Sequence, residues 1–424
     1  MKTFYIIFSS QMISLLGSAL VEFALAWYLT IQTGSATILA TAVMVALLPQ
    51  VILGPFIGPL IDRWNRKRIM IGADLAIALI TVGLVLLFYL DTIQVWHIYV
   101  AMIARAIGQS FHFPAMQATI PLIVPAKHLV RISGLTQMFQ GIINIAAPPA
   151  GALLMSILPM QQILSIDIIT ATLAIGFLAV VTIPKTIRSA ETVATTVIKE
   201  MIQGFRYIWG WKGLRILMIL SALLNLFLIP PFTLLPILVT THLGGDVLKL
   251  GWLESAFGIG VIVGGLILGA WGGFKKSMVT VLLGVAVSGA AAIAIGFTSL
   301  DLFMLAVAAC FIIGTGLTFA NAPIIAIMQK TISNNMQGRV FSLVGAIGAA
   351  ATPLGLIIAG PLADSFGISC IYFVAGAATL LLCLFAAFIP SVMNLGANGD
   401  ESIETVKVTD EIDSQTSKNT PANG

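Results

Sequence analysis

Long apolar stretches separated by short polar ones run along almost the whole chain. Twelve of them have about the 20 residues that an α-helix needs to cross a hydrocarbon core roughly 30 Å thick. Their expected bounds are 5–30, 37–60, 70–90, 96–120, 132–158, 162–184, 214–239, 250–271, 278–297, 302–327, 340–361 and 368–390. The pattern predicts an all-α membrane protein with twelve transmembrane helices.

The composition agrees with this prediction, because 58% of the 424 residues are hydrophobic and only 9% are charged. A soluble domain carries roughly a quarter charged residues. The first stretch is too long for a secretory signal peptide and is interrupted by Glu22, so we expect an uncleaved first helix. The three cysteines have no metal-ligand spacing and are expected to be small buried hydrophobes, and no metal or cofactor is predicted.

The cations fix the predicted orientation. With the N-terminus inside, 19 of the 21 Lys and Arg residues fall in cytoplasmic loops or termini. The positive-inside rule then predicts a multi-pass protein of the cell membrane with both termini in the cytoplasm. A net charge of +4 is what loops facing anionic lipid show, so no nucleic-acid partner is needed to explain it.

Internal similarity predicts a duplicated unit. The segments 107–113, 146–151 and 54–61 resemble 313–319, 350–355 and 265–272, at offsets of 206, 204 and 211 residues. We therefore predict an N-terminal six-helix bundle (1–184), a cytoplasmic central loop (185–213), a C-terminal six-helix bundle (214–393) and a disordered cytoplasmic tail (394–424). Two such halves are a transporter plan with the substrate site between them.

Three motifs carry a family resemblance. The run GPLIDRWNRKR (58–68) is the densest group of charges in the chain, and it resembles the loop signature of the major facilitator superfamily, with Asn65 where many members have glycine. Arg105-x-x-Gly108-Gln109 resembles the buried-arginine motif of that superfamily. The segment AAPPAGA (146–152) is similar to the antiporter motif of its drug exporters.

Several segments taken together, LTIQTGSAT, ILGPFIGPLIDRWNRKRIMIGADL, FHFPA and GRVFSL, resemble the macrolide-efflux branch of the drug:proton antiporters of Gram-positive bacteria. The resemblance implies the major facilitator fold and export of a bulky, mostly apolar antibiotic against inward proton flow. It also implies that the helix with Pro148, Pro149 and Gly151 closes the cavity against leak.

The same resemblance assigns a conformational latch to the loop after the second span. The residues concerned are Gly58, Asp62, Arg63, Arg66 and Lys67. Asp62 would face the start of the eleventh span and hold the outward-facing state, where a helix N-terminus favours a carboxylate. The cations would pair with cytoplasmic carboxylates or lipid, or alternatively serve only to set the topology.

Charges inside spans cost about 2.5 to 3.5 kcal/mol each at the bilayer centre and therefore need an explanation. Glu22, Asp74, Arg105 and Asp167 lie in the first half and only Glu254 in the second, which favours ion coupling in the first half. Helical rise places Glu22 and Arg105 at about the same depth, so that they could pair. In the superfamily their spans line the cavity, which implies that Glu22 is the proton switch and Arg105 its electrostatic partner.

Alternatives stay open for all five intramembrane charges. Glu22 and Arg105 could instead be a static pair that fixes helix packing. Asp74, Asp167 and Glu254 are expected to be structural, because they lie near enough to span ends to reach water or to cap a neighbouring turn.

Polar stripes at helical spacing mark the expected cavity walls. Amides that face lipid would be costly, so these stripes should face protein or water. The candidate substrate-binding residues are Phe23, Gln109, His112, Met116, Gln137, Gln140, Asn144, Asn225 and Asn321. The alternative for each of them is packing between helices. Pro230 and Pro231 are expected to break the seventh span.

Other functions fit the sequence less well. The same scaffold could carry a physiological solute such as a siderophore or a lipid-like metabolite. An enzyme is not predicted, because the four histidines are scattered and no nucleophile cluster accompanies them. The chain has no GxxxxGK[ST] nucleotide-binding loop of its own, although whether an ATP-binding partner protein assists is left open. The expected partners are a hydrophobic small molecule, protons and the lipid bilayer, and we expect a monomer.

Overall fold

The computed structural model describes residues 2–125, 128–183, 203, 205–332 and 334–393. Most of the predicted central loop and the whole predicted tail therefore lie outside the described residues. Fourteen α-helices are named here in chain order. Their bounds are α1 Lys2–Thr33, α2 Ala36–Arg63, α3 Arg66–Tyr89, α4 Val95–Ile123, α5 Leu129–Ile157, α6 Met160–Val180, α7 Lys212–Thr233, α8 Leu235–Thr241, α9 Val247–Trp271, α10 Ser277–Gly296, α11 Phe303–Thr331, α12 Asn334–Phe366, α13 Ile368–Ala387 and α14 Pro390–Met393.

The all-helical membrane architecture predicted from the apolar stretches is confirmed. Within the described chain, eleven helical segments are long and apolar enough to cross a membrane. The one predicted span without a counterpart among these segments is the fourth, 96–120, which corresponds to α4, a helix of 29 residues. The polar side chains of α4, among them Arg105, Gln109 and His112, lower its mean hydropathy. The twelve-span layout and the cytoplasmic position of the termini stay predictions.

The helices pack in a pattern that occurs twice. In the first half, α1 packs on α5 and α6, α2 on α4, and α3 on α4 and α6. In the second half, the helices at the equivalent positions make the same pairs: α7 with α12 and α13, α9 with α11, and α10 with α11 and α13. The principal contacts between the halves are α2 with α12 and α5 with α9, which are also equivalent to each other.

Among the described residues, the two halves share a buried core at one face and not at the other. We call the face that carries the start of α1 the near face, and the face with the α1–α2 turn at residues 34–35 the far face. At the far face a single apolar cluster joins both halves and includes Trp27, Leu39, Ala152, Leu253 and Ala359.

The described residues at the near face instead form two separate apolar clusters. One belongs to the first half and includes Phe4, Ile61 and Met70, and the other belongs to the second half and includes Met278 and Val340. Among the described residues, the halves are thus closed against each other at the far face and separate at the near face.

Local sequence explains where several helices begin and end. The Asn65 side chain accepts a hydrogen bond from the Arg68 amide at 3.3 Å and caps α3, which gives this departure from the family glycine a structural role. The seventh predicted span breaks as expected after Pro230 and Pro231, because α7 ends at Thr233 and α8 begins at Leu235.

Candidate functional site

A cavity of about 750 Å³ lies inside the first half. Residues of α1, α2, α4 and α5 line it, and most of them are apolar. Its polar lining residues are Ser18, Glu22, Gln50, Arg105, Gln109, Ser110, Gln140 and Asn144. We predicted a site between the halves, whereas the residues that line this cavity all come from the first half.

Arg105 makes a buried ion pair at the edge of the cavity. Its Nη1 atom lies 2.5 Å from Asp167 Oδ2 on α6, and the two residues are 3% and 0% exposed. Thr81 of α3 donates to Asp167 Oδ2 at 3.0 Å, and Ser18 of α1 donates to Asp167 Oδ1 at 2.9 Å. Four helices therefore meet at one carboxylate, whose charge is balanced by the guanidinium.

This network corrects our expectation for Asp167. We expected its carboxylate to reach water or cap a turn near the end of the sixth span, but it is fully buried and bound to three side chains. Periodicity could not have found this pair, because α6 has Asp167 as its one charged residue and no polar stripe around it.

Glu22 lies on the wall of the same cavity and is exposed to it. Among the described residues, no ion pair within 4.0 Å joins Glu22 to Arg105, whose partner is Asp167 instead. One nitrogen of Arg105, Nη2, is buried and has no hydrogen-bond partner in the described part of the chain. The site therefore combines an unpaired carboxylate with a guanidinium that is only partly satisfied.

The polar stripe of α4 divides between two environments. Gln109 faces the cavity, whereas His112 and Met116 are buried and are not among its lining residues. Positions 109 and 112 are about 60° apart around a helix axis, which is enough to turn them toward different neighbours. His112 contacts Gln11 of α1 at 2.6 Å and Asp74 of α3 at 3.2 Å.

The remaining candidate substrate contacts also separate into two groups. Gln140 and Asn144 of α5 line the cavity, whereas Gln137 is exposed elsewhere. In the second half, the Asn225 amide donates to the Ser221 carbonyl of its own helix at 2.8 Å, and Asn321 is exposed. Neither of these second-half residues lines the cavity.

The helix with Pro148 and Pro149 runs unbroken from Leu129 to Ile157. A side chain at Gly151 would collide with the ring of Phe23, so this glycine lets α1 approach α5 closely. Phe23 thus packs against α5 and does not line the cavity. On the other side of α5, Gly251 of α9 lies against Ala152, which makes this segment part of the contact between the halves.

Two of the cations after α2 bind backbone carbonyls of other helices. Arg66 Nη1 donates to the Ala118 carbonyl at 2.6 Å, and Lys67 Nζ donates to the Ala179 and Val181 carbonyls at 2.7 and 2.8 Å. The carbonyls at the end of α6 attract Lys67 through the helix dipole. Pairing of the cations with carboxylates or lipid stays a prediction. The surroundings of Gly58, Asp62 and Arg63 lie outside the described residues.

Glu254 of α9 is half-buried and does not line the cavity. Among the described residues, no cluster of His, Cys, Asp and Glu could hold a metal ion.

Comparison with known proteins places this geometry in a family. The model described as Major Facilitator Superfamily matches residues 7–355 and 217–407 in two overlapping alignments. The chain belongs to this superfamily, so it is a transporter and not an enzyme, as predicted. Solved structures of similar fold include a variant of the nucleoside transporter NupG (TM-score 0.71, 13% identity, 91% of this chain and 100% of that chain). A D-xylose-proton symporter is also similar (TM-score 0.65, 14% identity, 90% and 98%).

Within the superfamily, the chain is similar to curated efflux proteins. It is 34% identical to "Macrolide efflux protein A" of Streptococcus pyogenes over 382 residues, 90% of this chain and 94% of the relative. It is 33% identical to the protein of the same name from Enterococcus faecalis, over 76% of this chain and 100% of the relative. "Multidrug efflux pump Tap" of Mycolicibacterium fortuitum is 26% identical over 89% and 93%. The resemblance predicted from the motifs is confirmed.

The buried ion pair generates a stability prediction. Replacing Asp167 by Asn leaves the Arg105 charge buried and uncompensated, which we expect to destabilise the fold by about 3 to 5 kcal/mol. Thermal unfolding in detergent micelles should show a markedly lower midpoint. Asp246→Asn is the control, because that exposed acid only caps the start of α9 and should change the midpoint little.

A double variant separates the effect of the uncompensated charge from the effect of the lost hydrogen bonds. Arg105→Met combined with Asp167→Leu removes both charges and should recover most of the lost stability, since apolar pairs replace buried ion pairs at little cost. A double variant as unstable as Asp167→Asn would show that the hydrogen bonds of Ser18 and Thr81, and not the uncompensated charge, dominate.

Proposed function

We propose that this protein exports a bulky, mostly apolar antibiotic of the macrolide class by proton antiport. Membership of the superfamily supports transport, and two relatives that carry the name macrolide efflux protein support efflux and the substrate class. The observation that carries the mechanism is Glu22, an unpaired carboxylate on the wall of an apolar cavity.

The cavity suits the proposed substrate. Its volume of about 750 Å³ lies within the range of roughly 300 to 1,000 Å³ usual for small-molecule sites. Apolar walls would bury the hydrophobic body of the drug. The amides of Gln50, Gln109, Gln140 and Asn144 would supply the few hydrogen bonds that fix its orientation.

Glu22 would exchange the proton. Because Asp167 already balances Arg105, the guanidinium does not need the Glu22 carboxylate to remain paired. Arg105 Nη2 could still attract that carboxylate once it has lost its proton, and a cationic group of the drug could compete for it. Binding of the drug and binding of the proton to Glu22 would then exclude each other, as antiport requires.

The membrane layout is part of the proposal. We place twelve spans in two bundles, 1–184 and 214–393, with both termini cytoplasmic, and we treat the protein as a monomer. The repeated packing pattern and the distribution of cations support this layout. With that orientation the far face is external, so the structure described here is closed outside and its halves are separate inside.

Two further family features complete the proposal. Asp62, with Gly58 and Arg63 beside it, would latch the start of α12 at the near face and stabilise the outward-facing state. Pro148, Pro149 and Gly151 would close the cavity against leak, which the contacts of Gly151 with Phe23 and of Gly251 with Ala152 support.

Macrolide accumulation in a susceptible bacterium tests this function. The wild type should lower accumulation, and a protonophore should abolish that effect. Glu22→Gln should match the empty vector at equal membrane levels, because the amide cannot take up a proton. Glu254→Gln is the matched control and should export normally, since Glu254 lies away from the cavity.

Each contrary outcome removes a defined part of the proposal. Unchanged accumulation with the wild type would overturn the macrolide assignment and leave a physiological solute as the alternative. Normal export by Glu22→Gln would place the coupling site elsewhere. Export that a protonophore does not affect would overturn proton antiport.

A further inference from the structure

Two layers of buried polar side chains cross the first half, one above the other. Helices α1, α3 and α4 each contribute one residue to each layer, seven residues apart, which is two turns or about 10.5 Å. The layer toward the far face contains Ser18, Thr81 and Arg105, together with Asp167 of α6. The layer toward the near face contains Gln11, Asp74 and His112.

The layer toward the near face is tightly enclosed. Gln11, Asp74 and His112 are 1%, 4% and 8% exposed. His112 Nε2 lies 2.6 Å from Gln11 Oε1 and 3.2 Å from Asp74 Oδ1. Gln11 Oε1 and an ionised Asp74 Oδ1 are both acceptors, so the tautomer of His112 that carries a hydrogen on Nε2 fits these two contacts.

Two atoms of this layer lack partners. Asp74 Oδ2 and Gln11 Nε2 are buried and have no hydrogen-bond partner in the described part of the chain. A neutral imidazole beside an ionised Asp74 gives the layer a net charge of −1 in an apolar bundle, which is costly. One added proton makes the layer neutral, whether it resides on Asp74 Oδ2 or on the imidazole.

The surrounding charges do not supply that compensation. Toward the far face, Arg105 and Asp167 already balance each other two turns away. Toward the near face, Arg66 donates to the Ala118 carbonyl of α4 and Lys67 to carbonyls at the end of α6. Glu22 of α1 is eleven residues beyond Gln11, about 16 Å along the helix.

The other described cations near these helices are exposed. Arg131 of α5 is exposed, and the side chains of Asp62 and Arg63 at the end of α2 lie outside the described residues.

From this geometry we propose that Asp74 and His112 form a second proton-binding site, separate from Glu22 and distinct from the drug cavity. The proposal rests on proton antiport as the function. It adds that each transport cycle loads one proton at Glu22 and one at the Asp74–His112 pair.

Proteoliposomes test the second site. The pH gradient that just balances a substrate gradient gives the number of protons exchanged per substrate molecule. This ratio of protons to substrate should fall by one in Asp74→Asn and in His112→Gln. Both variants should keep substrate exchange in the absence of a gradient, because the cavity is unchanged. Thr119→Val is the matched control, a buried α4 residue whose hydroxyl bonds only within its own helix and to Met70, and its ratio should equal that of the wild type.

A readout independent of transport accompanies this test. In pH-difference infrared spectra of the purified protein, the band of protonated carboxylic acid should lose intensity in Asp74→Asn and should be retained in Asp74→Glu. An unchanged ratio and an unchanged band in Asp74→Asn would overturn the second site while leaving Glu22 antiport intact. A wild type that ignores the pH gradient would instead overturn antiport itself.

An independent observation concerns the contact between the halves at the far face. Asp364, two residues before the end of α12, lies against the start of α2. Its Oδ1 accepts from the Ala36 amide at 2.7 Å, and its Oδ2 accepts from the Thr37 amide at 3.0 Å and from the Ser35 hydroxyl at 2.7 Å. A carboxylate from the second half thus satisfies free amides at a helix N-terminus of the first half.

The sequence around Asp364 repeats that of the loop after α2. GPLAD at 360–364 ends α12 as GPLID at 58–62 ends α2. The two helices run antiparallel, with Gly360 packed on Thr37 and Ala40. Each helix therefore ends in the pattern GPLxD, and at the far face that pattern of α12 lies beside the start of α2.

We infer that Asp364 is a clamp that stabilises the state closed at the far face and opposes the latch assigned to Asp62. The inference requires only that the transporter alternates between two states, as its superfamily membership implies. Because both clamps use the same pair of helices, opening one face would favour closing the other.

Distance measurements between spin labels test the clamp. Thr92→Cys and Ser299→Cys place labels on far-face loops of the two halves, in a background without the three native cysteines. Asp364→Ala should raise the ratio of far-face-open to far-face-closed molecules by about 2- to 30-fold, the range that loss of a helix cap gives. Asp62→Asn should lower that ratio.

Asp301→Ala is the control, because Asp301 is an exposed acid on the same face outside the contact, and it should leave the ratio unchanged. The clamp is falsified if Asp364→Ala leaves the distance distribution of the wild type unaltered. A shift of equal size in Asp301→Ala would also overturn it, since any loss of surface charge would then suffice.

Discussion

The ion pair between Arg105 and Asp167 is the interaction on which the first half depends. Asp167 is the single charged residue of α6, and its charge has to be compensated inside the bundle. Arg105 balances it, and Ser18 and Thr81 satisfy its remaining acceptor sites, so four helices are held in one register. Once that register is set, residues one heptad away meet as well, which brings Gln11, Asp74 and His112 together.

The second half is assembled differently. Its intramembrane charge, Glu254, makes no ion pair among the described residues, and its helices instead approach through glycines. A side chain at Gly260 would collide with the Phe311 carbonyl, and one at Gly314 with the Phe257 carbonyl, so α9 and α11 touch along their backbones. Where lipid removes the hydrophobic drive for helix association, close packing supplies much of the affinity between helices. The first half is thus held together by a buried ion pair, and the second half by close backbone packing at glycines.

The apolar stretches predicted nearly every helix, because span length and hydropathy are local properties of the sequence. The motifs likewise indicated the superfamily, and the asymmetry of charges directed attention to the first half. The sequence could not show which charged residues pair with each other. Depth along the membrane made Glu22 and Arg105 plausible partners, but depth contains no information on which side of α4 a neighbour lies. His112 lies away from the cavity wall for the same reason, since a stripe only 60° wide can face two different helices.

The pairing of Arg105 with Asp167 changes what proton transfer can involve. If Glu22 were the partner of Arg105, protonation of Glu22 would leave the buried guanidinium without a compensating charge. Each cycle would then break the ion pair that holds the helices together. Because Asp167 supplies the compensating charge, Glu22 can gain and lose a proton while that contact persists. In the proposed antiport cycle, the structural charge and the exchangeable charge would therefore be carried by different carboxylates. With that division the first half would move as one rigid body against the second in the proposed cycle, and the contacts that would then change are those of α2 with α12 and of α5 with α9.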